Sequence, residues 1–289
     1  MKKKAPLFNT VTIVGVGLIG GSLGMSIKKN KLARRVIGVG HRRSSIQKAI
    51  KKRAIDEGTL NLKSGIKQAD LVILATPVGL IIKFLEESKA CPKPGSLVID
   101  VGSSKEEIVK AAEKNLPREI FFIGCHPMAG SEKRGIEIAR ADLFKKAVCI
   151  ITPGRRANAG ALSKVKVFWQ QLGAKVEIIS PAEHDRLIAL LSHLPHLIAS
   201  SLVLKLEEEN RNKSLWLKLA GPGFKDTTRV AASSPLVWQD IYFSNRANII
   251  KNLRDLKKIL ERLENYLQKG REKDFLKFLD KAKRWRSAL

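Results

Sequence analysis

The feature that most constrains the fold of this chain is a glycine-rich segment near its N-terminus. The β-branched run Val11-Thr-Ile-Val14 leads into the spacing Gly15-x-Gly17-x-x-Gly20, and an apolar segment follows. This order predicts a strand, a tight turn at Gly15 and a helix, with Gly17 close to a pyrophosphate and Gly20 packed on the strand. The first N–H groups of such a helix are free to bind phosphate. The expected contacts of a dinucleotide are Gly15, Gly17, Leu18, Ile19 and Gly20.

Strand and helix patterns alternate over residues 1–180, and helical patterns alone follow Ser180-Pro181. Strands are predicted at residues 10–16, 35–39, 71–75, 97–101, 120–124, 147–152 and 175–179. Helices are predicted between most of them, at residues 19–29, 44–52, 78–88, 105–115 and 159–172. Such alternation indicates βαβ units and a parallel sheet. The later apolar-periodic segments cover residues 182–208, 214–220, 235–267 and 272–286.

We therefore predict an α/β fold with two domains. Residues 1–180 form an N-terminal Rossmann-type dinucleotide-binding domain, and residues 181–289 form a C-terminal all-helical dimerisation domain. Within the segment 235–267, apolar residues recur every three or four positions and so share one helix face. This face is either intramolecular core or a dimer seam, and we favour a homodimer. Its residues are Leu253, Leu256, Ile259, Leu260, Leu263 and Leu267.

The composition narrows the expected partners. Three cysteines without a Cys-x-x-Cys pair indicate neither a disulfide framework nor a zinc site, which fits a reducing cytoplasm. The net charge of +27 favours anionic ligands, but it is spread along the chain without a basic tail, so we expect no nucleic-acid partner. No later apolar run approaches the roughly 18 uninterrupted residues of a membrane span, so we expect no membrane partner.

The residues after the second predicted strand indicate which dinucleotide is bound. An NAD-binding fold usually places Asp or Glu about 20 residues beyond the glycines, to bind the ribose 2′-hydroxyl. This chain has Gly40 there, followed by His41, Arg42, Arg43 and Ser44. No carboxylate repels a 2′-phosphate and two guanidinium groups can clamp one, so we favour NADP over NAD. The alternative is that both arginines are simply solvated.

Two further strand ends supply residues at the same edge of the sheet. Thr76 and Pro77 follow the third predicted strand and are expected to line the cofactor cleft. Ser103 follows the fourth, where Ser103 or Ser104 is the expected N-cap of the next helix. Capping alone would explain these serines, but their place at the carboxyl edge of the sheet favours a functional role.

Histidines are few, and three of them suggest chemistry. His126 follows the strand at 120–124 and precedes a Pro/Gly loop, so it is placed over the cleft, and histidine is suited to proton transfer near neutral pH. His193 and His196 are three residues apart and share a helix face. The His-x-x-His spacing also occurs in metal sites, but no third ligand accompanies it, so we predict no metal.

A loop that enters a helix near residue 221 carries charged groups of both signs. Asp226 and Arg229 are three residues apart, and Trp238 follows. An arginine in such a place suits a substrate carboxylate. The alternative is an ion pair between Asp226 and Arg229 along one helix.

Together these segments resemble the TyrA family of prephenate and arogenate dehydrogenases, in order and over nearly the whole chain. The segments around His126 and His193 are far more specific than the glycine fingerprint. The matching segments are Gly15-Val-Gly17-Leu-Ile-Gly20-Gly-Ser-Leu23, Asp100-Val-Gly-Ser103-Ser-Lys105, His126-Pro-Met-Ala-Gly-Ser-Glu132, His184-Asp185, Ser192-His193-Leu-Pro-His196 and Gly223-Phe-Lys-Asp226-Thr-Thr-Arg229. Gly40 departs from the family, because NAD-using members carry an acid there.

The resemblance implies an oxidative decarboxylation in tyrosine biosynthesis. A hydride leaves C4 of a cyclohexadienol ring for the nicotinamide, and the ring carboxylate departs as CO₂. In this reaction His126 accepts the 4-hydroxyl proton, Ser103 hydrogen-bonds the hydroxyl and His126, and Arg229 binds a substrate carboxylate. The resemblance also implies that the substrate pocket is lined by His193 or His196, with Asp226, Glu132 and Trp238 around it.

Several alternatives stay open. The sequence does not distinguish prephenate from arogenate, which differ far from the reacting carbon. Another NADP-dependent dehydrogenase of the β-hydroxyacid type would have a similar domain order, but such enzymes usually rely on a catalytic lysine. A dinucleotide-sensing protein without activity would have no use for a His, a Ser and an Arg that converge on the cleft.

Overall fold

The computed structural model describes residues 5–87, 92–131, 133, 135–209 and 213–288. Within these residues the chain forms an eight-stranded sheet in the order β3-β2-β1-β4-β5-β6-β7-β8. All seven predicted strands are present, with ends shifted by up to three residues, whereas β3 carries too few residues for an alternating pattern. The strands are β1 (Phe8–Val14), β2 (Ala33–Val39), β3 (Glu57–Thr59), β4 (Leu71–Leu74), β5 (Leu97–Asp100), β6 (Phe121–Pro127), β7 (Val148–Pro153) and β8 (Lys175–Ile178).

The strand order creates a crevice beside β1. β2 and β3 extend the sheet on one side of β1, and β4, β5 and β6 extend it on the other. β1 pairs in parallel with β2 on one side and with β4 on the other. Ligands of doubly wound sheets bind at such a switch point, outside the carboxyl ends of the strands. The predicted α/β fold with a Rossmann-type sheet is therefore confirmed.

The expectation of a fully parallel sheet is wrong at one place. β6 and β7 are antiparallel, and β7 and β8 are parallel to each other. The connection from β6 to β7 contains a short 3₁₀ turn (Ile136–Ile138). Parallel strands require a crossover of a dozen or more residues that is usually an α-helix. The chain returns here without such a helix, and its direction in the sheet reverses.

Helices cover both faces of the sheet and bury its central strands. All four residues of β4 are buried, as a parallel strand covered on both faces requires. One apolar layer includes Leu23, Phe168 and Trp169, and the other includes Ile81 and Ile108. The helices between strands are α1 (Leu18–Lys29), α2 (Arg43–Lys51), α3 (Leu62–Ile66), α4 (Val78–Glu87), α5 (Glu106–Asn115) and α6 (Ala159–Gln171).

The chain after β8 is helical, as predicted. A π-helical turn (Ala189–His193) separates α7 from α8, and Pro195 lies in the first turn of α8. Since proline donates no backbone hydrogen bond, a local change of helix type at this point is expected. The helices are α7 (Pro181–Ile188), α8 (Leu194–Glu208), α9 (Lys213–Leu219), α10 (Pro222–Thr228), α11 (Pro235–Ser244), α12 (Arg246–Gln268) and α13 (Glu272–Arg286).

The chain divides into two compact units, Met1–Asn245 and Arg246–Leu289. In the first unit α11 packs on α4, and Ile241 belongs to the same apolar cluster as Ile81. The second unit consists of α12 and α13, which pack on each other. The segment predicted as one helical pattern over 235–267 is thus broken at Asn245.

One helical run meets the length and composition criteria for crossing a membrane. Pro181–Glu208 has a mean hydropathy of 1.8 in its most apolar window, of which 33% is buried in the protein. A single helix of this kind is weak evidence for a span, because core helices of globular proteins have the same composition. The run also carries the buried polar groups of His184, Asp185 and His193. The absence of a membrane partner stays a prediction.

Candidate active site

The glycine turn after β1 has the geometry that a bound pyrophosphate requires. Gly15 has a φ of +97°, and a Cβ on it would lie 2.6 Å from the carbonyl oxygen of Ala75. A Cβ on Gly20 would lie 1.9 Å from the carbonyl oxygen of Gly15, so the turn and α1 pack together only without side chains. Gly17 faces open space and caps α1 without a side-chain hydrogen bond. The first N–H groups of α1, at Leu18 and Ile19, are therefore open to an anion.

The segment that is expected to select the nucleotide lies at the end of β2. Arg42 is the N-cap of α2, and Arg43 opens the helix. His41, Arg42, Arg43 and Ser44 are all exposed. A Cβ on Gly40 would lie 3.0 Å from Cδ1 of Ile46, so a larger residue there requires a small shift of that side chain. The segment offers two exposed cations beside the end of β2.

The chain after β4 is held by the helical region. Thr76 and Pro77 lie between β4 and α4, next to the glycine turn that approaches Ala75. The N–H of Gly79 in α4 donates a hydrogen bond of 3.0 Å to Oδ2 of Asp240 in α11. This contact fixes the start of α4 beside the cofactor cleft.

A buried ion pair lies under the end of β5. Lys105 Nζ contacts Oδ2 of Asp100, and neither side chain is exposed to solvent. The carboxylate also accepts hydrogen bonds from the N–H groups of Gly102 (2.8 Å) and Cys125 (3.3 Å). Burial raises the pKa of Asp100, and the charge and hydrogen bond of Lys105 act against that rise. A buried pair needs such additional donors to offset its desolvation.

The N-terminus of α5 is capped by a residue that the sequence does not predict. The helix begins at Glu106, after Lys105, so neither Ser103 nor Ser104 is its N-cap. The carboxylate of Asp185 in α7 instead accepts hydrogen bonds from the N–H of Lys105 (2.7 Å) and that of Glu106 (3.0 Å). A carboxylate binds strongly at this position because of the free N–H groups and the helix dipole. A tertiary contact therefore replaces the local cap.

Asp185 continues into a chain of two histidines. Its Oδ1 lies 2.7 Å from Nδ1 of His184, and Nε2 of His184 lies 2.8 Å from Nδ1 of His126. His184 and Asp185 are buried, and His126 is partly exposed at the end of β6. The predicted strand ended before His126, whereas β6 extends to Pro127 and holds the histidine in the sheet. The hydrogen bond to His184 thus orients His126 from the protein interior, and the rest of the His126 side chain is partly exposed.

The histidines of this cluster are held neutral. Desolvation lowers the pKa of His126 well below its usual value, and the charge of Lys105 lowers it further. His184 and His193 act in the same direction, because a proton on one of these clustered imidazoles opposes a proton on another. Desolvation also lowers the pKa of His184, although its hydrogen bond to Asp185 opposes this. Burial lowers the pKa of His193 to about 4. A neutral imidazole can accept a proton, which is the state that a general base needs.

His193, His196 and Trp238 come together, as expected for a binding pocket. The rings of His196 and Trp238 stack with centroids 3.5 Å apart, and Nδ1 of His196 lies 2.5 Å from the hydroxyl of Tyr242. Nδ1 of His193 lies 3.3 Å from Nδ2 of Asn245, which also donates to the backbone carbonyl of Asp185. In each histidine Nε2 is buried and has no partner among the described residues. Buried unpaired polar atoms of this kind are a signature of a ligand site.

The remaining predicted residues stand at the margin of this cluster. Asp226 is exposed on α10, and Arg229 is exposed at the start of a 3₁₀ turn (Arg229–Ala232) that packs on α8. Ser103 is half-buried after β5, and within the described residues it makes no hydrogen bond to His126, whose partner is His184. Glu132 lies outside the described residues.

No role is predicted from the sequence for His184, Asp185 or Asn245. His184-Asp185 matches the family and adds another histidine to a chain with 5 in all, which was the available signal. Asn245 lies at the break between two helices, where no pattern distinguishes a site residue from a turn. Within the described residues no cluster of three or more His, Cys, Asp or Glu side chains is placed to hold a metal.

Comparisons with known proteins identify the family of the chain. Residues 23–178 match the family described as prephenate dehydrogenase, nucleotide-binding domain, and residues 180–281 match prephenate dehydrogenase, dimerization domain. The chain is 34% identical over 282 residues to the prephenate dehydrogenase of Bacillus subtilis, which covers 97% of this chain and 76% of that protein.

Two solved structures are similar over nearly the whole chain. One is prephenate dehydrogenase from Aquifex aeolicus in complex with hydroxyphenyl propionate and NAD⁺, with a TM-score of 0.90, 32% identity and coverage of 96% of this chain and 97% of that one. The other is arogenate dehydrogenase from Synechocystis, with a TM-score of 0.81, 28% identity and coverage of 96% and 99%.

The resemblance found in the sequence is thereby confirmed, and so is the predicted fold of a nucleotide-binding sheet followed by helices. The site contains the parts that a nicotinamide-dependent oxidation of a hydroxyl group needs: an open helix N-terminus at a glycine turn and an oriented, neutral histidine. The chain belongs to the prephenate dehydrogenase family, the nicotinamide-dependent oxidoreductases that carry out the oxidative decarboxylation of prephenate in tyrosine biosynthesis.

Proposed function

We propose that this protein oxidises and decarboxylates prephenate to 4-hydroxyphenylpyruvate, with His126 as the general base. The observation that carries the proposal is the position of His126: a neutral imidazole at the carboxyl end of β6, hydrogen-bonded from behind by His184 and partly open on the other side. Bound nicotinamide supplies the hydride acceptor. The protein has to place the substrate hydroxyl at His126 and bind the substrate's carboxylates.

His126 takes the proton of the 4-hydroxyl group as C4 loses its hydride. Loss of hydride makes C4 electron-poor, and transfer of the hydroxyl proton to His126 relieves the developing positive charge. Departure of the ring carboxylate as CO₂ then restores an aromatic ring. Ser103, half-buried at the end of β5, is proposed to hydrogen-bond the same hydroxyl.

The substrate is a dianion, and several groups suit its carboxylates. Asn245 Nδ2 donates to Nδ1 of His193, so the proton of neutral His193 is on Nε2, where it is buried and unpaired. Nε2 of His196 is also unpaired, and Trp238 stacks on that ring. Arg229 is proposed to bind a carboxylate bidentately. Asp226 and Glu132 are proposed to border the pocket.

We propose NADP as the preferred cofactor. Gly40 offers no carboxylate to a ribose 2′-hydroxyl, and the exposed Arg42 and Arg43 lie directly after it. A 2′-phosphate would give these side chains an anionic partner. The remaining cofactor contacts are proposed at Gly15, Gly17, Leu18, Ile19, Gly20, His41, Ser44, Thr76 and Pro77.

The domain organisation and assembly belong to the same proposal. Residues 1–180 bind the nucleotide, residues 181–289 form the helical domain, and two copies associate through the helices in the cytoplasm. The family description of residues 180–281 as a dimerization domain supports the homodimer. So does the exposure of Ile259, Leu260 and Leu267 on the apolar face of α12.

A matrix of two substrates and two cofactors tests the function. Purified enzyme is assayed with prephenate and with arogenate, each with NAD⁺ and with NADP⁺, and kcat/KM is measured for all four pairs. We expect the highest value with prephenate and NADP⁺. A higher value with arogenate would replace the substrate with the one that yields tyrosine directly, and no activity in any pair would refute the reaction.

A further inference from the structure

The cluster behind His126 has no role in the reaction as described so far. We propose that His184 and Asp185 are positioning residues that keep a hydrogen on Nδ1 of His126 and so present the lone pair of Nε2 to the substrate. This inference rests on the proposed function, since it explains why one nitrogen of His126 acts as the base. It concerns the position of one hydrogen, which the arrangement of donors and acceptors determines.

Asp185 is the first member of this cluster, and the hydrogen bonds to its carboxylate require the ionised form. Its Oδ1 accepts a hydrogen bond of 2.7 Å from the N–H of Lys105, and its Oδ2 accepts one of 3.0 Å from the N–H of Glu106. Both donors belong to the N-terminal end of α5, where the helix dipole favours a negative charge. An ionised carboxylate has no hydrogen to donate. Any further hydrogen bond to Asp185 must therefore come from a donor.

The next two hydrogen bonds follow by elimination. Nδ1 of His184 lies 2.7 Å from Oδ1 of Asp185 and must carry the hydrogen of that bond. Neutral imidazole has one N–H, so Nε2 of His184 is an acceptor. Nε2 of His184 lies 2.8 Å from Nδ1 of His126, which must then be the donor. Neutral His126 is left with its lone pair on Nε2, the nitrogen that the protein leaves available.

This placement of the hydrogens requires a neutral His184, and the surroundings of His184 favour the neutral form. His184 is fully buried, and burial lowers its pKa. The positive charge of Lys105 acts in the same direction, while Asp185 and Asp100 act against it. A protonated His184 would donate to Nδ1 of His126 and leave a hydrogen on Nε2, where it could not accept a proton.

The groups around His126 also set the strength of the base. Burial of the ring opposes a positive charge on His126, the charge of Lys105 adds to this, and His184 and His193 would add to it only if they were protonated. When His126 takes the substrate proton, both of its nitrogens carry hydrogens, and the negative charge of Asp185 reaches it through one polarised imidazole. Orientation comes from the two hydrogen bonds, while desolvation and the charge of Lys105 keep His126 unprotonated before the reaction.

The test compares Asp185→Asn with Glu183→Gln, an equal loss of charge on the same helix. Glu183 is exposed and pairs with Arg186, so its replacement should leave kcat unchanged. Asp185→Asn removes the charge, and its amide keeps an oxygen for only one of the two backbone N–H groups, because an NH2 group accepts no hydrogen bond. His184 and His126 are then no longer held in a single tautomer. In a serine-protease triad the same change lowers kcat about 10⁴-fold by holding the wrong tautomer. With a second imidazole in between, we expect about a 10²-fold loss of kcat, with KM changed less than about threefold.

Nitrogen NMR of histidine-labelled enzyme reads the tautomer directly, with or without activity. The 15N shifts should show a hydrogen on Nδ1 of His126 in the wild type and a mixture of the Nδ1 and Nε2 tautomers in Asp185→Asn, with His126→Asn used to assign the signal. This readout separates the inference from the proposed reaction: an inactive wild type with the Nδ1 hydrogen would refute the reaction alone. A hydrogen on Nε2 in the wild type would overturn the inference.

A second pair of variants covers the case in which Asp185→Asn does not fold. His184→Gln keeps an acceptor for His126 and a donor for Asp185, whereas His184→Leu keeps neither. We expect His184→Gln to retain the Nδ1 hydrogen and to lose kcat less than about tenfold, and His184→Leu to lose about 10²-fold. Equal activity in the two variants, with the same His126 tautomer, would show that His184 only fills space.

Discussion

The two ends of the cofactor cleft differ in how far their side chains are buried and hydrogen-bonded. At the end of β6, His184, Asp185, Asp100 and Lys105 are buried and joined by short hydrogen bonds. At the end of β2, the segment 41–44 is exposed and is held mainly by the backbone of α2. The protein thus fixes the orientation of His126, the proposed base, through hydrogen bonds within the fold. The side chains that we propose to select the nucleotide are instead exposed.

Desolvation explains why the two ends differ. A buried charge costs several kcal/mol unless it is paired and hydrogen-bonded, so every polar group near His126 depends on its neighbours. An exposed arginine has no such dependence and contributes little to stability until an anion binds. Replacements near His126 should therefore affect catalysis and folding, whereas replacements at Arg42 and Arg43 should affect the choice of cofactor alone.

The largest expected effect comes from His126→Asn. Loss of a general base typically lowers kcat about 10²–10⁴-fold. Wild-type kcat should rise with pH as His126 loses its proton, and this limb should lie below pH 6.5, because desolvation lowers the pKa of His126. In the variant the limb should be absent.

Circular dichroism and the Kd of the cofactor check that His126→Asn is folded and binds its nucleotide. Asparagine is close in size and polar, so both should match the wild type. If the variant kept a near wild-type kcat and the same pH profile, the base would have to be sought at His193 or His196.

Arg229→Ala should affect substrate binding rather than the chemical step. Removing one partner of a charge pair that is shielded from water costs about 2–5 kcal/mol, and an arginine on the margin of the site should fall at the lower end. We therefore expect KM for prephenate to rise about 30-fold, with kcat changed little. Steady-state kinetics measures both, and Arg155→Ala, another exposed arginine, is the control. An unchanged KM would show that Arg229 is a structural residue.

The buried histidines of the cleft should also make the free energy of unfolding depend on pH. Burial lowers the pKa of His193 to about 4, so between about pH 4 and 6.5 the unfolded chain binds more protons than the folded one. The stability from neutral His193 is fully present above pH 6.5 and is lost as the pH falls. We expect His193 to lower the free energy of unfolding by about 2 kcal/mol from pH 7 to pH 5, and His126 and His184, whose pKa values are also lowered by burial, to add to that fall.

Urea unfolding at a series of pH values measures this loss. His193→Gln should reduce the fall by about the 2 kcal/mol assigned to His193, while His41→Gln, which replaces an exposed histidine, should leave it as in the wild type. A His193→Gln curve with the wild-type slope would assign the pH dependence to other groups.

The sequence predicts some features of the cofactor cleft and fails to predict others. The glycine turn and the place of His126 at a strand end could be predicted because each follows a short β-branched or apolar run that ends in a turn. The proximity of His193 and His196 could be predicted from their spacing of three residues in a helical segment. The cap of α5 by Asp185 could not, since it joins residues 80 positions apart and replaces a local serine cap. The reversal at β6 and β7 was also missed, because the apolar pattern of a strand does not give its direction. Patterns identify elements and nearby chemistry, whereas tertiary hydrogen bonds appear only in the fold.

The smallest expected effect lies at the exposed end of the cleft, in the double variant Arg42→Gln and Arg43→Gln. If these guanidinium groups bind a 2′-phosphate, the ratio of kcat/KM with NADP⁺ to that with NAD⁺ should fall about tenfold, or about 1.4 kcal/mol, since exposed ion pairs are weak. Stability should not change, because the wild-type side chains are exposed. Arg34→Gln, at the opposite end of β2, is the matched control and should leave the ratio unchanged. An equal loss with both cofactors would mean that the arginines attract any nucleotide and do not select one.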